Sequence, residues 1–165
     1  MNPIGRLRNM TSVYLTHNDR ILLLFRQGSR VVNDKWIGSA GGHFEKEELN
    51  DPKRCVLREA WEELGLRETE LEELQLRYVT HRLVGSEIRQ NYYFFARLKE
   101  DKPLSSTEGN LKWIQYEEFD GLPMPVSAGH MMQHYLKTGR FDKVLYAGIT
   151  QKDGTVFVPM KEFEG

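Results

Sequence analysis

The sequence predicts an α+β fold built on a mixed sheet, and three observations carry that expectation. Segments with strand character dominate the chain. Only two stretches have clear helical start and stop signals, Asp51–Gly65 and Ser127–Gly139. The two kinds of segment do not alternate in the strand–helix–strand rhythm that makes a wholly parallel sheet. At 165 residues, with 39% hydrophobic and 28% charged residues, the chain reads as one soluble domain over 1–165 with a proper core.

In chain order, Met1–Asn9 is an arm or the lead-in to a strand. Met10–His17 has strand-forming residues, Asn18-Asp19 is a turn, and Arg20–Arg26 is a buried strand, so the three form a hairpin. Gln27–Lys35 is a polar loop holding Gly28, Arg30 and Asn33-Asp34. Arg26, at the end of its strand, is a candidate phosphate contact, and Arg30 is a weaker one. Trp36 to Gly42 then brings a tryptophan and three glycines, which let backbone approach a ligand closely. Trp36 is a candidate base contact, with core packing as its ordinary role. His43 adjoins the glycine pair Gly41-Gly42.

The first helix is well bounded. Asp51 can cap its free N–H groups, Pro52 suits the first turn, and Gly65 is a stop. Glu59, Glu62 and Glu63 fall at i, i+3 and i+4, so the spacing predicts that they share a face. Like charges so placed repel, and a divalent cation would relieve them. Cys55, Val56, Ala60 and Leu64 form the opposing side.

Arg67–Glu73 is a loop or helical turn. Leu74–Leu83 and Glu87–Leu98 form a second hairpin around Val84-Gly85-Ser86. Its consecutive Tyr92, Tyr93, Phe94 and Phe95 place two rings on each face of the sheet. Lys99–Asn110 is a linker and Leu111–Tyr116 a strand. Leu122-Pro123-Met124-Pro125 makes an elbow before the second helix, whose stripe is Met131, Met132, Tyr135 and Leu136. His130 and His134 have the i, i+4 spacing of a metal pair, but no further ligand type clusters with them. The tail, about 143–163, reads as a hairpin around Lys152-Asp153-Gly154. It extends the sheet, covers the site or pairs across a homodimer; the sequence leaves these open.

Charge and composition exclude some classes. A net charge of −1 gives no pull toward a nucleic acid polymer or an anionic membrane. No apolar run is long enough to span a bilayer, and no secretory pattern opens the chain. The single cysteine, Cys55, permits no internal disulfide and is compatible with the cytoplasm, the expected location.

The stretch from Gly42 to Leu66 resembles the box of the Nudix hydrolase family, Gly-x5-Glu-x7-Arg-Glu-U-x-Glu-Glu-x-Gly-U with U a bulky aliphatic. Gly42 and Glu48 match its first part, and Arg58-Glu59-Ala60-Trp61-Glu62-Glu63-Leu64-Gly65-Leu66 its second. Ala60 is a small stand-in for the first U. Nine residues, Leu49–Leu57, separate Glu48 from Arg58 where the box has seven, and the extra two fit the loop around Leu49-Asn50. The resemblance implies an α/β/α sandwich with the box helix against a mixed sheet. It implies Mg2+, with Mn2+ as a substitute, on Glu59, Glu62, Glu63, the Gly42 carbonyl and Glu108 in the later loop; Glu117-Glu118 is the fallback. Glu59 and Glu62 become the candidate bases and Arg58 their orienting partner; Arg26, Trp36, Gly41 and His43 are candidate substrate contacts.

The implied reaction is water attack on a diphosphate linkage. The short chain and its glycine-rich approach to the box look like the MutT-type members, which favours an oxidised nucleoside triphosphate such as 8-oxo-dGTP, cut to monophosphate and pyrophosphate. The alternatives are ADP-ribose or a nucleotide sugar, a catalytically silent nucleotide sensor, and an isopentenyl-diphosphate isomerase-like enzyme. The isomerase would need Cys55 to face its substrate.

Overall fold

The computed structural model describes residues 5–27 and 34–163. Gly28, Arg30 and Asn33 lie outside the described residues. Nine strands join one sheet: β1 (Arg6–His17), β2 (Arg20–Arg26), β3 (Lys35–Ile37), β4 (Ala40–His43), β5 (Leu71–Val84), β6 (Glu87–Leu98), β7 (Asn110–Gln115), β8 (Leu145–Gln151) and β9 (Gly154–Met160). Two helices accompany them, α1 (Pro52–Leu64) and α2 (Val126–Lys137). The main path runs β3-β2-β1-β6-β5-β8-β9, with β4 on β1 and β7 on β2. The sheet is mixed: β1 lies parallel to β6 and β5 parallel to β8, while the other pairs are antiparallel.

Strand alternation sorts side chains to two faces. Tyr14, Ile21, Leu23, Tyr93 and Phe95 join Met131, Met132 and Tyr135 of α2 in one core. Val13, Leu15, Leu22, Phe94 and Ala96 join Val56 and Leu64 of α1 in the other. The rings at 92–95 divide between the faces as their alternation predicts. This is an α/β/α sandwich.

The helix ends follow from their caps. Asp51 accepts from the Arg54 N–H at 3.0 Å, and Gly65 closes α1 in the left-handed region at φ 68°. The strands are longer than the sequence suggested: β1 begins at Arg6 because pairing with β6 continues to its end. Lys35–Ile37 and Ala40–His43, too short for a periodic signal, are strands because β2 and β1 offer them edges. The C-terminal hairpin extends the sheet. It also braces the start of α2, through Ser127 Oγ to Thr150 Oγ1 at 3.1 Å and His130 Nδ1 to Thr155 Oγ1 at 2.8 Å. His134 Nδ1 meets the Tyr78 hydroxyl at 2.8 Å, so both histidines serve packing.

One edge of β1 changes partner along its length. Leu15–His17 pair with β2 and Met10–Val13 pair with β4, so the sheet forks there. Ser39 sits at the fork, fully buried. Its N–H donates to the Val13 carbonyl at 2.8 Å. Its hydroxyl accepts from the Leu15 N–H at 3.0 Å and donates to the Leu22 carbonyl at 2.5 Å. The hydroxyl thus stands between a donor and an acceptor on register partners that the fork has separated.

Candidate active site

The fork opens into a cleft of about 470 Å³ lined from both faces of the sheet. Leu24 and Arg26 share the α1 face with Leu22, while Ser12 and Tyr14 belong to the α2 face. The first residues of α2, Val126 and Ser127, close one side.

Arg58 organises the α1 wall. Its Nε donates to Glu48 Oε2 and its Nη2 to Glu48 Oε1, both at 2.9 Å, in a bidentate pair. Nη1 donates to Glu59 at 3.0 Å and to Glu62 at 3.1 Å, and Nη2 also donates to the His43 carbonyl at 3.1 Å. Glu48 is only 2% exposed. A 3-10 turn at Lys46–Glu48 brings it there, with the Glu45 N–H donating to its Oε1. The lengthened loop at Leu49-Asn50 follows and leaves the helix carboxylates in phase.

The three helix carboxylates take two settings around Arg58, whose Nη1 is shared by Glu59 and Glu62. Glu59 and Glu63 line the cleft; Glu62 does not, and its side chain is 52% exposed. Two i, i+4 rows explain this: Arg58 pairs with Glu62 along one row, and Glu59 stands over Glu63 along the next. Glu63 accepts the Gly41 N–H at 3.1 Å. Gly42 leaves room for Glu59: a Cβ there would lie 2.3 Å from Glu59 Oε1. Glu108 reaches the cleft from the loop before β7, where Gly109 presses so closely on β2 that a Cβ would lie 2.3 Å from the Phe25 carbonyl oxygen. Arg26 approaches Glu108 at 3.5 Å.

Charge crowding is visible in the acids. Burial pushes the Glu63 carboxyl up to about 7; the Gly41 hydrogen bond opposes this and the charges of Glu59 and Glu108 add to it. Burial also raises Glu59, against the pull of Arg58. Among the described residues no three acidic, His or Cys side chains stand close enough to make a ready-formed metal site; Glu59 is bonded to Arg58 and Glu63 to the Gly41 N–H. The donor chemistry nevertheless fits a hard divalent cation. The Glu59 and Glu108 charges act on the Glu63 carboxyl across the shared cleft, and such a cation neutralises charge of that kind.

Gly41 and His43 also line the cleft. Burial and the nearby Arg8 hold the His43 ring below its ordinary range, and Arg8 Nε donates to its Nε2 at 2.6 Å. Trp36 does not reach the cleft. Its ring packs on Phe25 at 4.9 Å and against the α2-side core, the ordinary role expected of it from the sequence beside the candidate base contact. Glu117 and Glu118 lie in a 3-10 turn, with Glu118 bonded to the Gln115 N–H. The cleft also contains Arg8, Arg82, Arg89 and Asn91, none of them singled out from the sequence. Their strands were legible, but strand register, which brings them together, was not.

The NUDIX domain profile matches residues 6–135. No curated protein sequence matches. Solved structures of similar fold include a MutT protein from Bacillus halodurans, at 22% identity over 93% of this chain and 95% of that one, with a TM-score of 0.61. A MutT protein from Methanosarcina mazei Go1 aligns at 19% identity over 84% and 99%, with a TM-score of 0.67. A C. elegans Ap4A hydrolase, solved as a binary complex, aligns at 15% identity over 82% and 99%, with a TM-score of 0.65.

Proposed function

We propose, from the premise that this chain belongs to the Nudix family and is a pyrophosphohydrolase, that it cuts a nucleoside triphosphate, 8-oxo-dGTP being the favoured example, to the monophosphate and pyrophosphate. The observation that carries this is the pair of half-buried carboxylates, Glu59 and Glu63, facing one cleft beside arginines. An anionic ester enters such a cleft only if its charge is met. Glu59, Glu63, Glu108 and the Gly42 carbonyl would hold Mg2+ or Mn2+. A divalent cation, when bound, neutralises phosphate oxygens and lowers the pKa of water.

The chain's own residues do the rest. Arg58 fixes the Glu59 carboxylate through a short charge-assisted bond. Glu59, raised toward the working pH by burial, accepts the proton of the attacking water. The water oxygen bonds to phosphorus as the bridging P–O bond breaks. The proposal takes residues 1–165 as one domain, with the C-terminal hairpin bracing the α2 end of the cleft. The isomerase reading is disfavoured. Cys55 is fully buried against Thr11, outside the cleft lining, and burial pushes its thiol up to about 11.

The test is a substrate panel of 8-oxo-dGTP, unmodified triphosphates, ADP-ribose and a nucleotide sugar, with Mg2+ and chromatographic detection of the nucleoside monophosphate product as the readout. Triphosphates should lead the panel. Glu59→Gln and Glu63→Gln should each reduce turnover by about 100-fold or more with the fold retained by circular dichroism, while Cys55→Ala keeps it. Faster turnover of ADP-ribose than of any triphosphate refutes the substrate. Unaltered turnover in both glutamine variants refutes the site.

A further inference from the structure

Three arginines stand in one row across three neighbouring strands. Arg8 of β1 is the register partner of Arg89 of β6, and Arg89 is the register partner of Arg82 of β5. Directly paired residues point to the same face, and all three line the cleft. They share the face of Ser12, Tyr14, Asn91 and Tyr93. Like charges placed directly opposite one another destabilise a sheet. The only carboxylate paired with the row among the described residues is Glu87, 2.9 Å from Arg89 and 3.6 Å from Arg8. Arg82 has no hydrogen-bond or ion-pair partner among the described residues. The row therefore keeps an excess of positive charge inside a cleft whose other wall is acidic, in a chain whose net charge is −1.

The row is also continuous with the box. Arg8 contacts His43, which follows Gly42, and Arg8 and Arg89 are 21% and 35% exposed. From Arg8 outward the charges advance by one strand spacing each, about 10 Å in all. A single phosphate does not span that length; a chain of phosphates does. Guanidinium groups bind phosphate oxygens in forked, geometrically specific pairs. The uncapped start of α2 faces the same cleft and adds backbone N–H groups of favourable polarity.

We infer that the Arg8–Arg89–Arg82 row is a polyphosphate subsite, which binds phosphoryl groups lying beyond the diphosphate linkage that is cut. It selects linear substrates with three or more phosphates over those with only two. The inference rests on the hydrolase reading for the position of the cut, and it narrows the substrate class within that reading.

Binding and turnover test it separately. Calorimetry with inorganic tripolyphosphate, without divalent cations, is run on the wild-type protein and on Arg82→Gln, Arg89→Gln, Arg82→Lys and Arg97→Gln. Arg97 is an exposed arginine paired with Glu72 outside the cleft, so its variant controls for net charge. Arg82→Gln and Arg89→Gln should each weaken tripolyphosphate about tenfold, the loss expected for one charged hydrogen-bonding group. Arg82→Lys should recover part of the loss, and Arg97→Gln should bind as wild type does. With Mg2+, the ratio of kcat/KM for ATP over ADP-ribose should fall in the two cleft variants. Equal tripolyphosphate affinity in all five proteins overturns the subsite. The expected binding losses with no turnover of either nucleotide instead overturn the hydrolase reading and leave the subsite standing.

Discussion

Removing Arg58 should damage the fold more than removing any other side chain of the cleft. The reason is Glu48. Its carboxylate is 2% exposed and takes two charge-assisted bonds from Arg58 at 2.9 Å, beside the neutral donors Glu45 N–H and the Cys55 thiol. Arg58→Ala leaves that charge buried and largely unpaired, which costs about 3–5 kcal/mol. For a chain of this size the melting temperature should fall by about 6–20 °C. Glu48→Gln retains an acceptor for Arg58 and should cost about 1–2 kcal/mol. The double variant should be more stable than the sum of the two losses implies, with a coupling of about 1.5–3 kcal/mol. Urea unfolding at neutral pH with a chelator present measures all three. Acid titration supplies an independent check. The hydrogen bonds from Arg58 hold the Glu48 carboxyl below the usual glutamate range. Its contribution is complete above that range and is lost as the pH falls through the depressed value, so Glu48→Gln should have a shallower acid limb than wild type. A cost below about 1 kcal/mol for Arg58→Ala, or simple additivity, would refute the assigned clasp.

Glu63→Gln should stabilise the metal-free protein while impairing turnover. The folded carboxyl is raised to about 7, so ionising it opposes folding. The penalty is absent below the unfolded value, grows as the pH rises through the interval up to about 7, and persists above it. The shift alone implies at most about 3 kcal/mol; solvent in the open cleft reduces this to about 1–2 kcal/mol. Unfolding curves with a chelator at pH 5 and pH 8 should show the variant gaining more on wild type at the higher pH. Ser39→Ala should cost about 2–3 kcal/mol, because it leaves the buried Leu15 N–H and Leu22 carbonyl facing each other across the fork. Hydrogen exchange at the Leu15 amide should accelerate, and an unchanged urea midpoint would remove the fork's dependence on that hydroxyl.

Much of the fold was legible because its signals are local. Asp51, Pro52 and Gly65 bound α1 through cap chemistry that needs no partner. The turns at Asn18-Asp19, Val84-Gly85-Ser86 and Lys152-Asp153 separate strands whose composition already marks them. What stayed hidden depends on register. Lys35–Ile37 is a strand only because Leu24–Arg26 lie opposite. Arg8, Arg82 and Arg89 look like scattered surface charge until pairing aligns them. Ser39 gives no signal at all, since a serine between Gly38 and Ala40 reads as loop, and only the fork makes its hydroxyl structural. Trp36 left two roles open in the sequence for a related reason: proximity to the glycine pair did not fix which way its ring would turn, and its ring packs on Phe25.

The box itself shows why spacing and chemistry can come apart. Two extra residues between Glu48 and Arg58 would break the motif if the distance along the chain were what mattered. The physical constraint is narrower: a carboxylate must reach the Nε edge of Arg58 while α1 keeps its phase. The turn at Lys46–Glu48 meets the first requirement by bonding Glu45 and Glu48 to each other. Asp51 meets the second by accepting the Arg54 N–H and starting the helix at Pro52. Leu49 and Asn50, between these two fixed points, are exposed and bear on neither. The insertion falls where the backbone is free to take it up, so Glu59 and Glu63 keep their relation to Gly41 and Gly42. A lengthening anywhere from Asp51 to Glu63 would act differently. Each added residue turns the following carboxylates by about 100° on the helix: one placed before Glu59 would turn Glu59 and Glu63 together away from Gly42 and Gly41, and one placed between them would also break the row they share.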